Sequence, residues 1–257
     1  MTQPRLYISP VAHRPQVNIT HPGTIGEPDV GMGSPILRIP EFVCCGDKRR
    51  PPGYTSWEVI EPETELRYHW SAPAELKQRF ATDFWGHVKV AEDEMHFEVT
   101  DRNIGDEPAQ GGVSLFCLQA GPVHEFHDYD GVNTCVWQNG RFVSVNEMIG
   151  GQFKDHRMAG AKVVAGEPSA QTTTRKLMVK RSPQTGFVLA IALDRCASVS
   201  GNFNHWPSCI HANPQWDVLE PGEQATVRGK VYLFEGTLDD VLERYIRDFE
   251  TDHETDT

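Results

Sequence analysis

Between Trp57 and Phe234 apolar residues recur at every second position in short runs, and turn residues close each run. Leu66-Arg67-Tyr68-His69-Trp70 alternates completely, Met95-His96-Phe97-Glu98-Val99 repeats the pattern, and Trp85 to Val90 reads as a strand between them. A period of two sends successive side chains to opposite faces of a strand, so one face is buried and the other meets water. Val113 to Leu118 is a continuous apolar run, as suits a strand in a sandwich core. Asn139-Gly140 sits between Thr134-Cys135-Val136-Trp137 and Phe142-Val143-Ser144-Val145. That dipeptide marks a two-residue hairpin, because both central residues need positive φ. Lys176 to Val179, Phe187 to Leu193 and Ala225 to Phe234 supply further strands, with Pro221-Gly222-Glu223 turning into the last. The pattern predicts a mainly β chain: one large antiparallel β-sandwich, supersandwich or jelly-roll-like.

The ends read differently. Nine prolines interrupt residues 1–56, so this stretch is expected to be an irregular arm packing on the domain, with Ile36-Leu37-Arg38-Ile39 at a sheet edge. Residues 57–250 form the sandwich domain, with one or two helical turns from Pro73 to Phe80. Its last element is a helix over 237–250. Thr237 caps it, Asp240 completes a capping box, and Leu238, Val241, Leu242, Tyr245 and Phe249 fall on one face. Residues 251–257 are a polar tail. All-β domains of this length commonly form one unit.

The formal net charge of −12 leaves no basic face, which argues against a nucleic-acid partner. Lys48-Arg49-Arg50 reads as a solvated loop. No window approaches 18 consecutive apolar residues, so no membrane span is expected. No apolar segment follows Met1 to Arg5, which reads as a cytoplasmic chain without signal peptide. The six cysteines (Cys44, Cys45, Cys117, Cys135, Cys196, Cys209) are scattered without zinc-ribbon spacing and read as buried free thiols. Phosphate-cradling glycine loops, G-x-S-x-G and H-E-x-x-H are missing.

Histidine is unevenly placed. Gly121 to Asp130 holds His124, His127, three acids and Tyr129, and Gly201 to Pro214 holds His205, Trp206 and His211. Both segments are expected to be loops between strands, where a rigid sandwich carries binding and catalytic groups. If they share one end, imidazoles near neutral pKa can move protons. Trp206 can then seat the apolar face of a sugar ring. The same residues permit a divalent metal (zinc, manganese or iron) on His124, His127, Asp128 and His211. His124 and His127 would face opposite ways on a strand, so coordination needs a turn there. An ordinary structural role remains the plain alternative for each histidine. Arg67 and His69, His87 and Lys89, and His96 and Glu98 fall on the polar faces of neighbouring strands. They line either a ligand-binding face or an ordinary solvated one. Arg67 is the candidate for gripping a carboxylate.

Val99-Thr100-Asp101-Arg102-Asn103-Ile104-Gly105-Asp106-Glu107-Pro108 resembles a strand-and-turn phrase of the galactose-mutarotase-like, or supersandwich, domains of carbohydrate-active proteins. Leu219-Glu220-Pro221-Gly222-Glu223 with Arg228 to Leu233 resembles their closing turn and strand. The resemblance spans residues 57–235 in pattern, implies the fold, and carries over no catalytic residue.

These readings converge on a carbohydrate-active enzyme, a lyase, epimerase or mutarotase working on a sugar or uronic-acid-containing glycan without a required cofactor. His124 or His127 would be the base, His205 or His211 the opposing acid, Tyr129 a further catalytic candidate, and Arg67, His69 and Trp206 the substrate-binding residues. The alternatives are a non-catalytic sugar-binding module and a metal-dependent jelly-roll oxygenase or hydrolase.

Overall fold

The alternating runs become strands, and every pairing among the described residues is antiparallel. The computed structural model describes residues 6–23, 34–45, 48–72, 81–121, 123–148, 159–164, 175–202 and 208–250. The expected helical turns over 73–80, His205 and Trp206 lie outside these residues.

The proline-rich first 56 residues are more regular than their breakers suggest. They contribute strands β1 (Tyr7–Pro10), β2 (Gln16–Thr20), β3 (Ile36–Arg38), β4 (Phe42–Cys45) and β5 (Lys48–Arg50), so Lys48-Arg49-Arg50 is a strand rather than a loop. The described prolines among them fall at strand ends or between strands, where no ladder hydrogen bond is lost. Next come β6 (Ser56–Glu61), β7 (Glu65–Ser71), β8 (Thr82–Ala91), β9 (Glu94–Asn103), β10 (Ala109–Gln110), β11 (Val113–Ser114) and β12 (Phe116–Gln119). The run expected from Val113 to Leu118 is broken at Leu115, whose φ is 59°. Then follow β13 (Thr134–Gln138), β14 (Arg141–Ser144), a four-residue helix α1 (Val145–Met148), β15 (Ala159–Val164), β16 (Leu177–Arg181) and β17 (Phe187–Leu193). Asn139 and Gly140 have φ of 52° and 81°, as the hairpin between β13 and β14 requires. The chain continues with β18 (Cys196–Asn202), β19 (Cys209–Pro214), β20 (Val218–Leu219), β21 (Gln224–Glu235) and helix α2 (Leu238–Phe249).

Two large sheets make the sandwich. One has the order β14-β13-β16-β17-β21-β9-β8-β7-β6, the other β1-β2-β3-β12-β19-β18-β15. Their inward rows interlock: Leu66, Phe84, Phe97, Leu189 and Val231 from the first sheet share one buried cluster with Val17, Leu37, Phe116, Leu118 and Ile210 from the second. Phe97 and Phe116 meet edge to face across the interface at 5.7 Å. Burying such side chains contributes roughly 1.5–3 kcal/mol each, which makes this contact the main source of stability.

Helix α2 covers the far face of the first sheet over β16, β17 and β21. Val241 and Tyr245 bury against Leu177, Val179, Val188, Ala190, Tyr232 and Phe234. Thr237 Oγ1 accepts from Asp240 N and the Asp240 carboxylate accepts from Thr237 N, so the expected capping box is present. An ionic cluster fixes the helix lengthwise: Lys230 Nζ lies 2.7 Å from Asp248 and 3.0 Å from Glu94, and Arg247 lies 2.6 Å from Glu94.

Candidate functional site

At the end of β12 the chain leaves the sheet and turns through residues 120–133. His124 to Phe126 form a single 3-10 turn, which carries the chain from one histidine to the other. The turn brings the His124 and His127 rings to 4.7 Å and those of His127 and Tyr129 to 5.5 Å. His127 Nε2 lies 2.7 Å from the Gly121 carbonyl oxygen, and its Nδ1 lies 2.9 Å from the Tyr129 hydroxyl. A carbonyl oxygen only accepts, so Nε2 carries the hydrogen, Nδ1 carries the lone pair, and the Tyr129 hydroxyl donates to it. His124 and Tyr129 are exposed and His127 half-buried. Asp128 turns inward instead and is buried. It accepts from Asn133 N at 3.1 Å and from Thr134 Oγ1 at 2.5 Å, which closes the loop.

The outward face of the seven-stranded sheet holds a row of polar residues. Register places Gln16, Arg38, Cys117, His211 and Ser200 side by side on β2, β3, β12, β19 and β18. The neighbouring row, Val17, Leu37, Leu118 and Ile210, belongs to the core, so the polar row points away from it. His211 therefore stands on a strand, not in the loop expected from Gly201 to Pro214. Its Nε2 lies 3.0 Å from Cys209 Sγ and its Nδ1 3.3 Å from Ser200 Oγ. The Cys117 thiol donates to Cys209, and that bond, aided by His211, holds the Cys209 thiol well below its ordinary pKa and Cys117 above it. Arg38 pairs with Glu41 at 2.9 Å. Cys117, Cys135, Cys196 and Cys209 are free and buried, as the sequence suggested.

Arg67 and His69 lie elsewhere. They project from β7 on the outward face of the nine-stranded sheet, in the half that α2 leaves open. There they line a groove of about 580 Å³ with Trp57, Trp85, Glu98 and Thr100. His69 stacks on Trp85 at 5.0 Å and lies 2.9 Å from Asp83. His87 and Lys89 both reach Glu65 at 2.8 Å, and these contacts, that of Lys89 first, lower its pKa.

The sandwich thus brings some of the sequence candidates together and separates others. His124, His127 and Tyr129 form one contiguous group. Gln119 at the end of β12 pairs with Cys209 at the start of β19, so that loop leaves the sheet beside the strand carrying His211. Asn202 also pairs with Cys209, which sets the strand ends flanking residues 203–207 at this same edge. Arg67 and His69 are on the opposite outer face, with both sheets and the core between them and His211. Composition gave no hint of the Cys117–Cys209–His211 grouping. The Cys209-x-His211 spacing, read as strand, would have put two of the three on one face; Cys117 needed the register.

No family model matches the sequence, and no curated protein matches it. Solved structures do. A galactose mutarotase-like protein from Lactobacillus casei aligns over 91% of this chain and 99% of its own, at 8% identity and a TM-score of 0.54. A galactose mutarotase related enzyme from Lactobacillus acidophilus aligns over 91% and 98%, at 9% identity and a TM-score of 0.53. The chain has the galactose-mutarotase-like fold. An alpha-N-acetylgalactosaminidase from Bifidobacterium bifidum matches 99% of this chain with 39% of its own, at 9% identity and a TM-score of 0.58. A matching fold therefore occurs both as a whole chain and as part of a larger one. Among the described residues no helix is long and apolar enough to cross a membrane.

Proposed function

We propose that this protein is a carbohydrate-active enzyme that moves a proton at a ring carbon or anomeric centre of a sugar or uronic acid, with Tyr129 and His127 as the working pair. The observation that carries this reading is the hydrogen bond from the Tyr129 hydroxyl to His127 Nδ1, in a tautomer fixed by the Gly121 carbonyl. Tyr129 is exposed, and its hydroxyl is oriented by His127. As it accepts a proton from the substrate it can pass its own to Nδ1, and the resulting imidazolium keeps its Nε2–H on the Gly121 carbonyl. Lyase, epimerase and mutarotase chemistry all need such a transfer. The neighbours' names supply the substrate class.

The test is a panel of free sugars and uronate-containing oligosaccharides followed by NMR for anomeric exchange, solvent-hydrogen incorporation and unsaturated product. Tyr129→Phe and His127→Ala should each lower turnover by about a hundredfold or more. Turnover unchanged in both variants refutes the pair. Saturable glycan binding without product in the wild type would replace the enzyme with a sugar-binding module.

A further inference from the structure

Three ligating side chains meet outside the His127–Tyr129 pair. Cys117, Cys209 and His211 each offer one atom, and these atoms lie within 4.8 Å of one another. The sheet builds the triangle. Cys117 is directly opposite His211 across the β12–β19 ladder, and Cys209 is two residues before His211, on the same face. We propose that Cys117, Cys209 and His211 bind one zinc ion, with the fourth tetrahedral position left for water or a substrate oxygen.

Geometry, chemistry and surroundings agree. Zinc–sulfur bonds of about 2.3 Å and zinc–nitrogen bonds of about 2.0 Å put tetrahedral ligands roughly 3.5–3.8 Å apart. The observed spacings bracket that size: the three atoms lie within 4.8 Å of one another, and Cys209 Sγ is 3.0 Å from His211 Nε2. Two thiolates and an imidazole suit zinc, whereas magnesium and calcium want oxygen, which this set does not offer. His211 already presents Nε2 toward Cys209 while its Nδ1 faces Ser200 Oγ at 3.3 Å. Metal-bound imidazoles are commonly held in this way, with the far nitrogen donating to a neighbouring oxygen. Arg38, the register partner of Cys117 on β3, has a buried Nε with no acceptor among the described residues. A metal-bound thiolate beside it would supply one. A disulfide fits less well. Cys209 pairs with Gln119 rather than with Cys117, so the two cysteines are diagonal neighbours, whose spacing of about 7–8 Å exceeds what a disulfide spans.

Untagged protein purified without chelator or nickel resin, measured by native mass spectrometry, should carry about one zinc per chain. Cys117→Ser and Cys209→Ser should lose it, while Cys135→Ser and Cys196→Ser, at two other described buried thiols, should keep it. Should the first two variants fail to fold, the wild type still decides. Zinc should protect Cys117 and Cys209 from alkylation, mapped by peptide mass, and cobalt(II) in its place should show thiolate charge-transfer absorption. Wild-type protein that binds neither metal, binding that survives in Cys209→Ser, or a Cys117–Cys209 disulfide in the isolated protein would each overturn the proposal. No substrate enters these measurements, so they stand apart from the proton-transfer reading.

Discussion

The two outer faces of the sandwich obey the same alternation and end in opposite states. On the nine-stranded sheet the outward cations stand largely in water: Lys89 beside the half-buried Glu65, and Arg228 with the exposed Glu98 at 3.0 Å. Exposed pairs of this kind contribute little, typically under about 1 kcal/mol. On the seven-stranded sheet the outward polar groups are sunk: Cys117 and Cys209 are buried, and Arg38, His211 and Ser200 are only half exposed. Burying polar groups costs free energy unless a partner compensates. A face that retains them must compensate each one, as the contacts among Cys209, His211 and Ser200 do.

The strongest way to break this contrast is to compare turnover after changes on each side. Tyr129→Phe, at the edge of the seven-stranded sheet, should cost about a hundredfold or more. Arg67→Ala and His69→Ala should leave kcat and KM within about twofold, since surface changes away from the reacting atoms act weakly. A large rise in KM for Arg67→Ala would reverse the assignment of the faces and move the substrate to the groove.

A second comparison lies within the nine-stranded sheet, between the half under α2 and the half in water. Tyr245 is buried in the helix interface, and its hydroxyl accepts from Lys176 N at 3.2 Å. Tyr245→Ala should destabilise the chain by about 3 kcal/mol in urea unfolding. Trp85→Ala, on the open half, should cost less than about 1 kcal/mol. Equal costs would mean that the groove is a packed part of the domain rather than a solvated surface.

How far these differences were legible depends on the range of the interaction that sets them. The strands from Leu66 to Val99, the Asn139-Gly140 hairpin and the capped last helix are dictated within a few residues, and their positions follow from the sequence. The two phrases that suggested the fold prove to be one contact: Asn103 Nδ2 donates to Glu107 O at 2.9 Å and to Leu219 O at 2.8 Å. The site was half legible. His124, His127 and Tyr129 lie close in sequence, so any turn gathers them. Pairing Cys117 with His211, and placing Arg67 on the opposite face, depends on strand order, which no local pattern encodes. The strands among the first prolines were missed for the related reason that pairing with a neighbour outweighs weak local preference.

The interior between the faces offers the smallest and cleanest effect. Lys180 points inward from β16, fully buried, with Nζ 3.1 Å from Thr134 Oγ1 and 3.2 Å from Ser208 Oγ. Burial lowers its pKa from 10.5 to about 8, against the pull of nearby Asp128. The unfolded chain therefore binds the proton more tightly than the folded one. Above pH 10.5 both states are neutral and the lysine costs nothing by this route. As pH falls from 10.5 to 8 the cost grows to roughly 3 kcal/mol, and it stays constant below. Lys180→Met removes that cost but also removes two hydrogen bonds and the countercharge of Asp128. The variant should gain about 1–2 kcal/mol at pH 7 by urea unfolding. Its advantage should shrink steadily between pH 8 and pH 10.5, the window set by the two pKa values. A variant that is less stable at pH 7, or whose gap to the wild type does not change with pH, would show that Asp128 and the two hydroxyls fully compensate the buried ammonium. The interior would then resemble the seven-stranded face, where polar groups are kept because they are held.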